Sequence, residues 1–303
     1  MKIFITGGLG FIGRHLSDFF LSRGHHVVAV GTRPGQNLIN HPNFRYLSAD
    51  TTQEGDWQEE LKDTDAAVNL AGKTIFKRWN KSYKKLIYDS RILTTRNLVD
   101  ALPANKGITL CSASAIGFYG NRGDDTLDEE ETNGNDFLAK VSRDWEEEAL
   151  RAEEKGIRVV TARFGVVLGK NGGAMEKMVP AFRLFVGGPL GDGTQWFPWI
   201  HLDDLISAMM FILENRDIHG PVNFCAPNPV RNRDLAKAMG HVLNRPAFMP
   251  APGFMIRLVL GEFGTTLLSS QRAIPEKLLS FGFDFEYPDI INAIRHITNQ
   301  WNP

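Results

Sequence analysis

The stretch Lys2–Arg14, KIFITGGLGFIGR, constrains this chain more than any other. Lys2–Thr6 mixes β-branched and aromatic residues over a length that suits a buried strand. It breaks at Gly7-Gly8. From Leu9 to Leu21 the positions Phe11, Ile12, His15, Leu16, Phe19 and Phe20 step at helical spacing. Between the two runs lies Gly8-x-Gly10-x-x-Gly13: one glycine for the turn off the strand, one for close backbone approach to a diphosphate, one for packing helix on sheet. Alone the motif is weak. Here it follows a strand, opens a helix, and precedes a second strand, His26–Val30, at the distance a βαβ unit requires. It predicts a dinucleotide held by Thr6, Gly7, Gly8, Gly10, Phe11, Ile12, Gly13 and Arg14, with unpaired N–H groups of the first helix facing the phosphates.

Four further strand-like runs follow: Phe44–Asp50, Asp65–Leu70, Ile108–Ser112 and Ile157–Phe164. A basic segment, Lys77–Lys85, leads into a long helix ending near Leu102. Phe137, Val141, Trp145, Ala149 and Ala152 mark an amphipathic helix. Such alternation predicts an α/β protein with a Rossmann-like doubly wound parallel sheet. Ligands of that architecture sit at the carboxyl ends of the strands, where Gly8, Ala71 and Ser114 fall. Beyond Gly165 the rhythm changes to glycine-rich turns, short helices and scattered prolines. Residues 1–168 are therefore read as the nucleotide-binding domain, with 200–225 returning to it. Residues 169–199 and 226–303 are read as a smaller, mostly helical substrate lobe. Asp203-Asp204, within 200–225, and Asn232, in the lobe, are the expected caps of two helices.

An NAD site usually carries an acid just past the second strand, to bind the ribose 2′-hydroxyl. Gly31-Thr32-Arg33-Pro34 has none. A carboxylate would repel a 2′-phosphate, whereas a guanidinium binds it in bidentate fashion, so Thr32, Arg33 and Arg14 favour NADP over NAD. Asp50 ends the third strand within reach of the adenine region, and Leu70-Ala71-Gly72 offers small residues for backbone close to the cofactor. A net charge of −1 gives no reason to expect nucleic acid or an anionic membrane as partner. Cys111 and Cys225, both in strand-like runs, suit a reducing compartment. The first strand starts at Lys2 and no apolar run reaches the length of a membrane span, so a cytoplasmic protein is expected. No His, Cys, Asp or Glu grouping has metal-ligand spacing.

With Thr6-Gly-Gly-x-Gly-Phe-Ile-Gly13, Asn69-Leu-Ala-Gly72, Ser112-Ala-Ser114…Tyr119-Gly120 and Trp199-Ile-His-x-Asp-Asp204, the chain resembles the extended short-chain dehydrogenase/reductase superfamily. Arg163-Phe-Gly-Val-Val-Leu-Gly169, Gly187-Gly-Pro-Leu-Gly-Asp-Gly193 and the tail narrow this to the atypical NAD-dependent epimerase/dehydratase subgroup with a C-terminal domain of unknown function. The resemblance implies bound NADP(H) or NAD(H), with Ser112 and Arg163 beside the site. It implies a nucleotide sugar or carbonyl compound as substrate, and pairing of two copies through a four-helix interface.

It also implies a Tyr-x-x-x-Lys pair on the helix after the fifth strand, and here the chain departs. The frame Phe137/Val141 holds no proton donor and no charge; the frame Leu138/Ser142 is equally inert. Ser114 matches the superfamily's Ser/Thr position, while Arg91 stands where an Asn is usual. Three readings follow: Tyr119 moves the proton, with Arg91 or Lys140 supplying positive charge; hydride passes to a substrate that needs no enzyme acid; or the protein binds NADP(H) without turnover, as a sensor or scaffold.

Overall fold

The computed structural model describes residues 1–34 and 39–299. Seven parallel strands form the central sheet: β1 Lys2–Thr6, β2 His26–Gly31, β3 Phe44–Ser48, β4 Ala66–Asn69, β5 Thr109–Ala115, β6 Arg158–Phe164 and β7 Gly220–Phe224. Their order across the sheet is β7-β6-β5-β4-β1-β2-β3. The chain winds outward from β1 in one direction, then from β4 in the other. The crevice outside β1 and β4 is therefore the topological switch point, where ligands of such sheets bind.

Both faces are covered. Ile3 and Ile5 point to the face packed by helix α1, Phe11–Ser22, through Leu16 and Phe20, and by the helix Leu202–Glu214. Phe4 points the other way, toward Leu98 and Val99 of α2, Lys81–Ala101, and Ala149 of α3, Phe137–Leu150. Strands buried on both faces read as continuous apolar runs, which made most of them visible in sequence. β5 was the harder case. It runs on through Ser112-Ala-Ser-Ala115, small residues of weak strand preference, because its far end is ladder-paired to β6 as far as Ala115 opposite Phe164.

Two expected helix caps are corrected. The helix Leu202–Glu214 is capped by His201, whose Nδ1 accepts the Asp203 amide at 3.0 Å. Asn232 lies inside its helix, and its Oδ1 accepts the Leu190 amide instead. Among the described residues no helix is long and apolar enough to cross a membrane.

Candidate functional site

The carboxyl ends of β1, β4 and β5 open into a cleft of about 640 Å³. Its floor is the β1–α1 turn, and Gly7, Gly10, Phe11, Ile12 and Gly13 all line it. The turn is tight because its glycines touch. A Cβ on Gly13 would lie 2.4 Å from the Gly7 carbonyl, and one on Gly8 2.4 Å from the Ala29 Cβ of β2. Helix α1 starts at Gly10 with no side-chain cap and no acid in its first turn. Its first amides and its positive dipole end thus meet the cleft uncompensated, an arrangement that accepts a diphosphate.

Beneath the cleft lies a closed polar network. Thr6 Oγ1 donates to Asn69 Oδ1 at 2.7 Å and accepts the Leu70 and Ala71 amides. Asn69 Nδ2 donates to Thr95 Oγ1 and Ser112 Oγ, and Trp145 Nε1 also donates to Thr95 Oγ1. Thr6 and Ser112, expected against the cofactor, are instead buried with their hydroxyls engaged. They hold the Leu70–Gly72 turn, of which Leu70 and Gly72 line the cleft.

The far wall holds three more of the expected residues. Arg163 is buried and forks onto Glu146, with Nε to Oε1 and Nη2 to Oε2 both at 2.9 Å, while its Nη1 donates to Tyr119 Oη and the Glu129 carbonyl. Burial alone would lower the Arg163 pKa, but the paired Glu146 carboxylate raises it above its ordinary value, so its charge is fixed. Four of its five N–H donors are thus spent on the protein itself. Tyr119 is fully buried and donates to Asn223 Oδ1 and the Asp128 carbonyl at 2.8 Å each. Burial pushes its hydroxyl pKa up, and it does not line the cleft. It stands behind the cleft wall. Ser114 does line the cleft, yet its hydroxyl donates to Glu146 Oε1 at 2.5 Å.

On α3, Leu138, Val141, Ser142 and Trp145 face the cleft, whereas Phe137 packs on Trp79. Leu138/Ser142 and Val141/Trp145 are thus both cleft-facing pairs one helical turn apart, and Glu146 continues the first row inward. That repeat of four was legible in sequence as Leu138, Ser142, Glu146. Arg91 also lines the cleft, its Nη1 donating to the Lys73 and Ile87 carbonyls at 3.1 Å. Burial lowers its pKa to about 10, which leaves it charged at neutral pH. Thr74, Lys77, Glu176 and Lys177 complete the polar part of the lining; Thr74, Glu176 and Lys177 carried no signal in the sequence.

The outer end of the site is more open. Thr32, Arg33 and Arg14 are exposed, and Tyr46 Oη donates to the Gly31 and Arg33 carbonyls at 2.9 Å, fixing the turn after β2. Asp50 is exposed and bonds the Thr52 amide and hydroxyl, so its carboxylate shapes its own turn.

Comparison with known proteins agrees with this geometry. Residues 3–224 match the model of the NAD dependent epimerase/dehydratase family, and 251–297 match a domain of unknown function, DUF1731. The chain is 40% identical over 302 residues to an Arabidopsis thaliana protein named epimerase family protein SDR39U1 homolog, chloroplastic, covering 98% of this chain and 86% of that one. It is 37% identical to the epimerase family protein YfhF of Bacillus subtilis, covering 98% of each. The crystal structure of human epimerase family protein SDR39U1 (isoform2) with NADPH superposes with a TM-score of 0.87 at 33% identity, covering 99% of both chains.

Proposed function

This chain belongs to the NAD dependent epimerase/dehydratase family, and from that premise we propose that it binds NADP(H) in the glycine-rich cleft and exchanges hydride with a small carbonyl or nucleotide-sugar compound without a tyrosine–lysine pair. The uncapped head of α1 supports the diphosphate site, with the amides of Phe11 and Ile12 as its donors. Arg33, with no acid between Gly31 and Pro34, supports NADP over NAD. When bound, NADP(H) supplies or takes up the hydride.

The observation that carries the reading is the pair Leu138/Ser142. A leucine at that point of the cleft excludes water but moves no proton, so the route by which relatives with a tyrosine deprotonate a sugar hydroxyl has no counterpart here. Ser142 Oγ makes no hydrogen bond within the described residues and stands in the cleft wall. Arg91 adds a fixed positive charge there, suited to an oxygen that gains negative charge during reduction. Val141 and Trp145 keep the surface around them apolar. A second reading, an NADP(H)-binding sensor or scaffold, is favoured by the engagement of Ser114, Tyr119 and Arg163 with their neighbours.

Single-turnover oxidation of NADPH against carbonyl and nucleotide-sugar panels separates the two. A substrate-dependent rate that Ser142→Ala lowers at least about a hundredfold, with NADPH affinity unchanged, supports the first. Tight NADPH binding with no rate on any panel member supports the second.

A further inference from the structure

We propose that the C-terminal lobe docks on an anionic lipid surface through an exposed apolar face. The face centres on the helix Gly253–Leu260. Phe254, Met255, Leu258 and Val259 on it, with Phe248 and Phe185 in the adjoining segments, are each between 50% and 79% exposed. The segments are neighbours. The Ala251 amide donates to the Pro189 carbonyl and the Gly191 amide to the Ala251 carbonyl, both at 2.8 Å, and the Arg245 guanidinium lies 4.8 Å above the Phe185 ring. At helical spacing the four helix residues span an arc of roughly 140°. Ile256 faces inward, buried, and Arg257 stands at the edge of the arc.

Single exposed apolar residues are ordinary; a cluster of this kind marks an interaction surface. Charge decides which. No Asp or Glu occurs between Glu176 and Asp192, or between Asp234 and Glu262, whereas the exposed Arg183 and Arg257 and the half-buried Arg245 fall in the segments that carry this face. The chain's overall charge of −1 averages over faces and conceals this cationic one. A two-fold pairing of copies through this face would set the same cations against each other, an unfavourable closure. An anionic bilayer meets both features: aromatic and aliphatic side chains enter the headgroup boundary, and arginines at the rim meet phosphates.

Flotation of the full chain with phosphatidylcholine vesicles, with or without about one-third phosphatidylglycerol, tests this. The wild type is expected to float with the anionic vesicles at low salt and to be released as salt rises. Phe254→Ser/Leu258→Ser should reduce the bound fraction at least about tenfold, with circular dichroism unchanged because both side chains are exposed. Arg245→Glu/Arg257→Glu should remove the preference for anionic over neutral vesicles. The proposal is overturned if the wild type does not float with anionic vesicles, or if the serine variant floats equally well. It is also overturned if sedimentation finds a dimer that the serine variant splits, since a second copy would then cover the face.

Discussion

His201 makes this fold sensitive to acid by an amount that can be worked out. Its ring is buried, its Nδ1 accepts the Asp203 amide, and its Nε2 lies 3.2 Å from His296 Nδ1. Because Nδ1 is an acceptor, the neutral ring carries its proton on Nε2, and a second proton would have to displace the cap. Asp203 Oδ2 lies 3.7 Å from Nδ1, a contact that would favour the charged ring, but the amide already holds that lone pair. Burial, then the neighbouring His296, lowers the pKa from 6.5 to about 3. The native pKa being depressed, the unfolded chain binds more protons between pH 6.5 and 3. Stability is therefore full above about 6.5 and falls as the pH drops toward 3. At pH 5 an unfolded ring is almost wholly protonated and the native one almost wholly neutral, so this residue costs about 2 kcal/mol between pH 7 and pH 5. His201→Asn keeps a capping oxygen for the Asp203 amide but does not titrate. Urea unfolding of both proteins at pH 7 and 5 should show the wild type losing about 2 kcal/mol more than the variant. Asp203, Asp204 and Glu129, raised by burial, act in the opposite sense but are present in both proteins and cancel in the difference. Parallel losses in the two proteins would refute the reasoning.

Other expectations are more direct. Glu146→Gln leaves the Arg163 guanidinium buried beside a neutral amide and should cost about 3–5 kcal/mol in denaturant unfolding; a cost below about 1 kcal/mol would mean that the pair is not closed as described. Gly13→Ala sets a methyl 2.4 Å from the Gly7 carbonyl. It should lower stability by about 1–3 kcal/mol and weaken NADPH in a fluorescence titration, and a variant that binds as the wild type does would show that the turn yields freely. Arg33→Ala should erase a preference for NADPH over NADH of about tenfold or more without changing NADH affinity; equal affinities in the wild type would take Arg33 out of that role. Tyr119→Phe removes a hydroxyl that is buried and far into the wall, so it should lower the melting temperature and leave any NADPH oxidation rate unchanged.

What the sequence made legible was whatever depends on periodicity and on backbone demand. Ile3 and Ile5 against Phe4, and the three glycines of the first turn, report directly on strand burial and close approach, and both are local properties. What it concealed was the direction in which polar side chains spend their hydrogen bonds. Thr6, Ser112, Ser114, Tyr119 and Arg163 are all polar residues near strand ends in the right half of the sheet, so chain position alone makes each a ligand contact. Their partners, Asn69, Glu146 and Asn223, lie between 17 and 104 residues away. Only tertiary structure distinguishes a hydroxyl offered to a cleft from one consumed behind it. The Asp203-Asp204 cap failed for a related reason: Asp is a common cap, but His201 holds the capping position, with its ring packed on Tyr287 at 4.0 Å.

The same distinction bears on the chemistry. A buried guanidinium and carboxylate joined by two hydrogen bonds, with a tyrosine and a serine added to the pair, form a unit most of whose protons are already engaged. Such a unit resists change in protonation, because moving one proton strands a charge in the interior. It can hold β5, β6 and α3 in register while the cleft changes its contents. It is poorly suited to give a proton to a substrate. For the hydride exchange proposed above, the proton would come from groups outside the network, and among the described cleft residues Ser142 is the hydroxyl on α3 proposed to pass one on from solvent. A solvent isotope effect on NADPH oxidation that Ser142→Ala abolishes would follow from that route. An effect unchanged by the substitution would return the proton to water acting alone.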